Sequence, residues 1–426
     1  MRSVNPRRAA LLFLAPTLLV VGVLVVYPIG HTFWMSLHSD DGSRFVGLAN
    51  YLEMFTSPDT RRAITNNAIW VIVAPTVVTA IGLMLAVLTE RVRLVNAFRL
   101  ALFMPMAISF LAAGVTFRLV YDEDPNRGLL NAALVTVHDT FSPPSPYPGA
   151  TPRPDAGLTV GADGSVIAVT DLAGEVRIPL VGLSTDLLPE SAREAAAPPA
   201  VADVRGVVWR DFLPGGEGVA GAIDPGEYGL PGVRVEVLRG GEVVAEAVTD
   251  AQGQFSVAGL TGGGYVIRLA ADNFTEPFRG LTWLGPGLVT PAIIGSYVWI
   301  WAGFAMVVIS AGLSSIPRQT VEAARLDGAS DGQILRLITV PLLRPALIVV
   351  AVTLVINVLK IFDLVLVLAP ESVRPEANVL GLEMYHTSFT QLNTGLGSAL
   401  AVLLFALVLP GMAWRARVLR RQEARR

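Results

Sequence analysis

Thr353, Asn357 and Lys360 stand at i, i+4 and i+7 within an apolar run over residues 342–368. That spacing places all three on one face of a helix. Asp363 follows one turn beyond Lys360, near the same side, where it can neutralise the ammonium. An ionisable side chain inside an apolar span is costly unless it faces a bundle interior or a wet cavity. The stripe is expected to line a polar path and to hydrogen-bond a polyol. The competing reading is a structural Lys360–Asp363 pair near the outer interface. Tyr297, Trp299 and Trp301 supply rings able to stack on sugars, but interfacial anchoring or plain packing accounts for them as well, and packing is the better account.

Other chemistry is excluded or unsupported. The chain has no cysteine, which removes disulfides and thiolate metal sites. His31, His38, His138 and His386 are scattered without metal-ligand spacing, and no Ser/His/Asp set is suggested by position. A phosphate-cradling loop needs Gly-Lys-Ser/Thr. Lys360, the single lysine, lies between Leu359 and Ile361, so an energy source must come from another subunit. No catalytic residue and no cofactor is expected.

The elements that must position the stripe are membrane spans. Of 426 residues, 52% are hydrophobic and 16% charged, against about 25% charged in soluble domains. Six runs approach the roughly 20 apolar residues that a span requires: residues 9–33, 67–88, 100–120, 288–311, 342–368 and 395–412. The first is too long for a signal-peptide core and lacks a small-residue cleavage site. Pro105 lies inside the third, where neighbouring helices can satisfy the carbonyl it frees. Arg118 stands near that span's outer end and can snorkel. Basic residues fall in the N-terminus (Arg2, Arg7, Arg8), at Arg91, Arg93 and Arg99, at residues 318–344, and in the tail from Arg415 to Arg426. With six spans these four segments share one side, which the positive-inside rule makes cytoplasmic. Residues 122–280 hold 22 Asp/Glu against 10 Arg, whereas the remainder holds 13 acids against 22 bases. That acidic block reads as a separate domain facing away from the cytoplasm.

Residues 322–341, EAARLDGASDGQILRLITVP, form a polar loop between two spans. Val321 to Leu326 suit a helix. Pro317 fits a first helical turn, and Gly328 the left-handed position that ends the helix. A second amphipathic run, Ile334, Leu335, Leu337 and Ile338, is expected to stop at Pro341. Ala323 and Ala324 keep the surface flat enough for another protein to approach.

This loop resembles the EAA loop of binding-protein-dependent ABC importer permeases. The match runs through Glu322, Ala323, Ala324, Gly328, Ile338 and Pro341, with Val340 where Leu is usual. Asp327-Gly328-Ala329 is similar to the carbohydrate-permease version. FVGLANY at residues 45–51 also resembles a carbohydrate-permease element, and GLLN at 128–131, WAGF at 301–304 and KIFD at 360–363 resemble elements of the family at large. The resemblance covers about residues 10–134 and 282–416. It implies a six-helix α-helical membrane protein of the ABC permease fold and a multi-pass subunit of the cell membrane with both termini cytoplasmic. It further implies a second permease subunit, an ABC ATPase dimer and an extracytoplasmic solute-binding protein as partners, with no nucleic acid. Glu322, Ala323, Ala324, Asp327, Gly328, Ile338 and Pro341 would couple to the ATPase, within a loop at residues 317–341. In maltose-type permeases the matching span carries polar substrate contacts, which singles out Thr353, Asn357 and Lys360, with Asp363. Alternatives are a permease for a non-sugar solute and a membrane-anchored adhesion protein.

The expected domains are residues 1–134, an extracytoplasmic insert at 135–280, and residues 281–426. Within the insert, residues 142–154 and 195–201 read as linkers, and 158–183 as a hairpin or two. Short β-rich runs separated by turn residues argue for an all-β sandwich at about 203–271. That stretch resembles B-type repeats and prealbumin-like domains. In some such relatives loop carboxylates bind calcium, and Asp211, Asp224 and Glu227 fall at comparable places. The loop lacks the alternating Asp/Asn ligands that calcium needs, so solvated turn carboxylates are the preferred reading and no metal is expected.

Overall fold

The N-terminal apolar run folds as α1 (Pro6–Val21) and α2 (Tyr27–Met35), joined through a π-helical turn at Gly22–Val26. The computed structural model describes residues 6–90, 94–170, 175–199, 204–213, 215, 218–260 and 264–423. Arg2, Arg91, Arg93, Arg425 and Arg426 lie outside the described residues. After α3 (Ala49–Thr56) comes α4 (Pro58–Thr89), which starts nine residues before the expected second span. Pro58 occupies its first turn, where a missing N–H is harmless. α4 buries Ala63, Asn67, Trp70, Ala74, Val78, Gly82 and Ala86. Steps of three and four residues put these on one face, and most are small.

The third span is not one helix. α5 (Val95–Phe103) gives way to a 3₁₀ turn at Met104–Ala107, and α6 (Phe110–Val120) leaves at 102° to it. Pro105 removes a helical donor and Ser109 starts a new helix by accepting from the N–H of Ala112 at 3.2 Å, so the chain bends instead of tolerating the proline in line. α7 (Leu129–Phe141) leads towards the β-rich segment.

α8 (Val289–Leu313) packs on α4 and is the most buried of the long apolar helices. α9 (Arg318–Leu326) and α10 (Asp331–Ile334) follow. A π-helical turn at Leu335–Thr339 then joins α10 to α11 (Val340–Leu359) as one 29-residue stretch. Pro341 therefore does not end the helix as expected. The same arrangement precedes Pro28. A proline ring clashes with the carbonyl four residues back, and a wider turn just before it relieves the clash without breaking the helix. α11 stops at Leu359, short of the expected end of the fifth span, and α12 (Asp363–Leu368) restarts after Lys360, Ile361 and Phe362. α13 (Arg374–Ala377), α14 (Leu380–Tyr385) with a π-helical extension at His386–Thr390, and α15 (Thr394–Glu423) complete the unit. Among the described residues four stretches are long and apolar enough to cross a membrane, or five if α5 and α6 are one broken span; the apolar part of α15, Thr394–Pro410, is shorter.

Residues 1–130 and 281–426 form one compact unit and residues 131–280 another. The second holds two sheets about a common core that includes Ile178, Val208, Val235 and Ile267. Its strands are β1 (Thr151–Pro152), β2 (Thr159–Val160), β3 (Val166–Thr170), β4 (Glu175–Val181), β5 (Val204–Arg210), β6 (Arg234–Arg239), β7 (Glu242–Val248), β8 (Gln254–Val257) and β9 (Tyr265–Leu269). One sheet has the order β1-β4-β5-β8 and the other β2-β3-β9-β6-β7. β2 and β3 form a hairpin, but β4 pairs in parallel with β5, so the sheets span residues 151–269 and not only 203–271. Residues 142–154 are no free linker. Tyr147 is buried and donates from Oη to the carbonyl of Pro231 at 2.7 Å. Tyr147 and Gly149 also donate their N–H groups to the carbonyls of Asn273 and Phe274, each at 3.0 Å, so the two ends of the β unit lie side by side. Residues 195–199 dock too, through Ala195 N–H to Glu227 O at 2.8 Å; residues 200 and 201 lie outside the described residues.

Gly303 of α8 faces the backbone of α5. A Cβ added there would stand 1.9 Å from the carbonyl oxygen of Leu102. Gly303→Val is expected to lower the stability of the detergent-solubilised chain by about 1–3 kcal/mol, the range for overpacking. Gly22→Ala, with open space around it, should leave it unchanged. Thermal unfolding of both variants is the measurement.

Candidate functional site

The loop at residues 317–341 is built by local capping. Pro317 is the N-cap of α9, one position earlier than expected. At the other end, Gly328 N–H donates to Arg325 O and Ala329 N–H to Ala324 O, both at 3.0 Å. This double closure needs a left-handed residue, and Gly328 has φ +83°. Ser330 caps α10 in a reciprocal box with Gln333, and Arg325 Nη2 reaches Asp331 Oδ1 at 3.2 Å.

The result is two short helices folded against each other with their functional candidates outward. Glu322, Ala323, Asp327, Gly328 and Pro341 are exposed, and Ala324 and Ile338 are half-buried. Glu322 has no ion pair with any described residue of the chain. A hollow of about 250 Å³ opens beside the turn, lined by Asp327, Gly328, Gln333, Ile334, Leu337 and Ile338. Leu326 is 90% exposed and Leu337 68%. Leu337 lines the hollow and Leu326 adjoins it in the chain, so apolar surface is left open there. Leu326 was not singled out from sequence, because its helical spacing alone reads as a buried face.

The stripe of the fifth span is only partly assembled. Thr353 Oγ1 donates to Val349 O at 2.8 Å and Asn357 Nδ2 to Thr353 O at 2.9 Å, so both polar groups lie along α11. Lys360 is the C-cap of that helix and lies outside its regular turns. Lys360 and Asp363 are both exposed, and no ion pair joins them among the described residues. Tyr297 and Trp301 are packed: Tyr297 meets Trp70 edge-on at 5.7 Å and stacks with Phe110 and Trp301, whereas Trp299 is exposed and touches Phe117.

A polar network that sequence reading missed ties α4 to the segment before α14. Asn66 Nδ2 donates to the carbonyls of Glu376 and Asn378 at 2.7 and 2.8 Å. Asn67 Oδ1 accepts the N–H of Leu380 at 2.7 Å, and Asn378 Nδ2 donates to the buried Glu383 at 2.6 Å. Its sequence signal was the Asn66-Asn67 pair at the mouth of an apolar helix.

In the β unit, Asp211 and Glu227 are each 2% exposed, not solvated turn carboxylates. Arg153 donates from Nε to Asp211 Oδ2, which also accepts Gly221 N–H at 2.8 Å. Glu227 Oε2 accepts from Trp209 Nε1 at 3.0 Å and from Asp224 N–H at 3.1 Å, while Asp224 Oδ2 accepts Val219 N–H at 2.6 Å. The carboxylates are occupied in holding loops together, and no cluster of metal-ligating side chains is present among the described residues.

Residues 255–423 match the family described as binding-protein-dependent transport system inner membrane component. The putative ABC transporter permease protein ORF1 of Caldicellulosiruptor sp. is 30% identical over 138 residues, which are 32% of this chain and 99% of that protein. The chain belongs to this family of ABC transporter permeases. Over its whole length the permease is similar to the alpha-glucoside transport system permease protein AglF of Rhizobium meliloti, 28% identical over 95% of this chain and 81% of that protein. It is similar also to the osmoprotective compounds uptake permease protein GgtC of Synechocystis sp., 24% identical over 97% and 99% of the two chains. A crystal structure of a bacterial ABC transporter involved in import of the acidic polysaccharide alginate superposes with a TM-score of 0.55 at 15% identity, covering 96% of each chain; that likeness concerns the fold alone. The permease is a membrane transport component and not an enzyme.

Burial pushes the Glu227 carboxyl up from its ordinary value, and the Asp211 carboxylate beside it pushes the same way. A folded-state pKa above the unfolded one favours the protonated form, so the stabilisation is complete below about pH 4.5 and is lost as pH rises through the folded value. Glu227→Gln keeps an acceptor for Trp209 and Asp224 and adds a permanent donor towards Asp211. Between about pH 4.5 and 7 the melting temperature of the β unit is expected to fall less with rising pH in that variant than in the parent. Circular dichroism at β wavelengths across that range reads the difference.

Proposed function

We propose that this permease is the membrane-spanning subunit of an ATP-driven importer that translocates a sugar or oligosaccharide delivered by a solute-binding protein. The observation that carries the reading is the outward-facing helix pair α9–α10, with Glu322 in no ion pair among the described residues and Leu326 exposed beside a hollow. A surface of that form suits the groove of an ABC ATPase dimer, which supplies the nucleotide chemistry the chain lacks. A second permease subunit would complete the path, with Thr353 and Asn357 on its wall, Lys360 at the end of α11 and Asp363 at the start of α12. The sugar comes from the names of relatives, among them AglF and the trehalose/maltose transport system permease protein MalF of Thermococcus litoralis, 36% identical over 30% of this chain.

The topology belongs to the same reading. We infer six crossings in the cell membrane, with α5 and α6 as one broken span and α15 as the sixth. The Arg-rich segments and both termini are then cytoplasmic, and residues 135–280 extracytoplasmic, where they would meet the binding protein. Helix 102° bends and proline-bearing π-turns within spans are compatible with lipid only when neighbours satisfy the freed backbone groups. A non-sugar solute is the second reading; the relative GgtC is named for uptake of osmoprotective compounds, a class wider than sugars.

In cells with the complete transporter, Glu322→Lys and Gly328→Pro are each expected to reduce uptake of labelled solute at least about a hundredfold while the protein stays in the membrane. Reversed charge removes an ion pair with the ATPase, and a proline cannot take the left-handed turn. Full uptake by both variants overturns the assignment of this loop. Deleting residues 142–272 should impair uptake if the β unit engages the binding protein; unchanged uptake would remove that unit from the transport cycle.

A further inference from the structure

The β unit contains a groove of about 1080 Å³, bounded by the C-terminal end of α7, the proline-rich segment after it, the edge strand β7 and the chain after β9. Pockets for small ligands are typically about 300–1,000 Å³, so a chain of two or three sugar rings fits the space. We propose that this groove binds a neutral oligosaccharide. The inference rests on reading the permease as part of a sugar importer.

The lining has the two kinds of surface that a pyranose presents. Pro143, Pro144, Pro146 and Phe278 supply apolar wall, and the Phe278 ring is held by stacking on His138 at 4.5 Å. A ring fixed in place loses little entropy when a sugar packs against it. Opposite chemistry comes from carboxylates. Asp139 lies 3.2 Å from His138, Asp272 is paired with Arg234 at 3.4 Å and Glu276 with Arg279 at 3.7 Å. Glu246 of β7 is exposed and has no ion pair among the described residues; its cross-strand neighbour Glu236 holds Arg268 at 2.6 Å.

Charge decides the class of ligand. Four carboxylates and one arginine line the groove, so a uronate chain would add like charge and is disfavoured. A polycation would be drawn by free carboxylates, but two of the four pair with an arginine and a third lies beside His138. Held carboxylates remain strong, oriented acceptors for paired hydroxyl groups. Neutral polyols are what such a wall selects.

The test uses full-length permease in lipid nanodiscs, in an Asn357→Leu background that weakens the path through the span. Saturation-transfer NMR and calorimetry are run with maltotriose, xylotriose, trigalacturonate and spermidine as probes. At least one neutral trisaccharide is expected to bind, with trigalacturonate and spermidine at least about tenfold weaker. Phe278→Ala and Glu246→Gln should each weaken the neutral probe at least about fivefold. Glu246 lies on an exposed strand face, so its variant tests the groove even where Phe278→Ala unfolds it. Equal binding by Glu246→Gln, no binding of either neutral probe, or preference for the uronate or the polyamine overturns the groove. Solute uptake by the complete transporter with the parent chain is measured beside it. Lost groove binding with sugar uptake intact overturns the groove alone, and groove binding with no sugar uptake overturns the importer reading alone.

Discussion

In hydrocarbon, apolar side chains gain little by leaving lipid for one another, so helices hold together only where their surfaces approach closely. The contact of α4 with α8 meets that condition. α4 turns a stripe of Ala74, Gly82 and Ala86 inward, and a Cβ added to Gly82 would collide with Ala305 of α8. Small residues trade side-chain volume for backbone proximity, and the larger groups fit around them. Trp70, Phe110 and Trp301 surround the buried Tyr297. The rest of the transmembrane unit is arranged on this pair, including the Asn66–Asn67 clasp that fixes the segment before α14.

Close packing also explains why irregular helices survive in such a unit. A π-helical turn before Pro28 and another before Pro341 let two prolines sit inside continuous helices. Through the second of these turns α10 passes into α11 without a loop, and the Gly328 turn before it is closed by two backbone bonds.

What was legible in the sequence was local. Gly328 was readable because only glycine meets the left-handed position cheaply. The apolar runs were readable because lipid imposes their length. Pro341 was misread, since the local rule that proline ends a helix ignores a compensating wide turn. The break at Met104–Ala107 was hidden by the apolar runs on either side of Pro105, and the one at Lys360–Phe362 by placing Lys360 on a continuous helical stripe; neither hydrophobicity nor spacing records backbone geometry. In the β unit the parallel pairing of β4 with β5 joins residues about thirty apart, and periodicity carries no trace of a partner that distant. Tyr147 shows the same limit. Prolines on either side of it announced a linker, and only the fold reveals that its ring is buried and its hydroxyl bonded to Pro231.

The backbone bonds from Tyr147 and Gly149 to Asn273 and Phe274 bring the two ends of the β unit together. Chain-closure entropy depends on the gap between loop ends far more than on what hangs from them once that material is folded. A guest module that enters and exits at a single point therefore burdens its host about as little as a short hairpin would. Lineages of such transporters are free to gain, exchange or discard an appendage of this type without redesigning the helices that flank it.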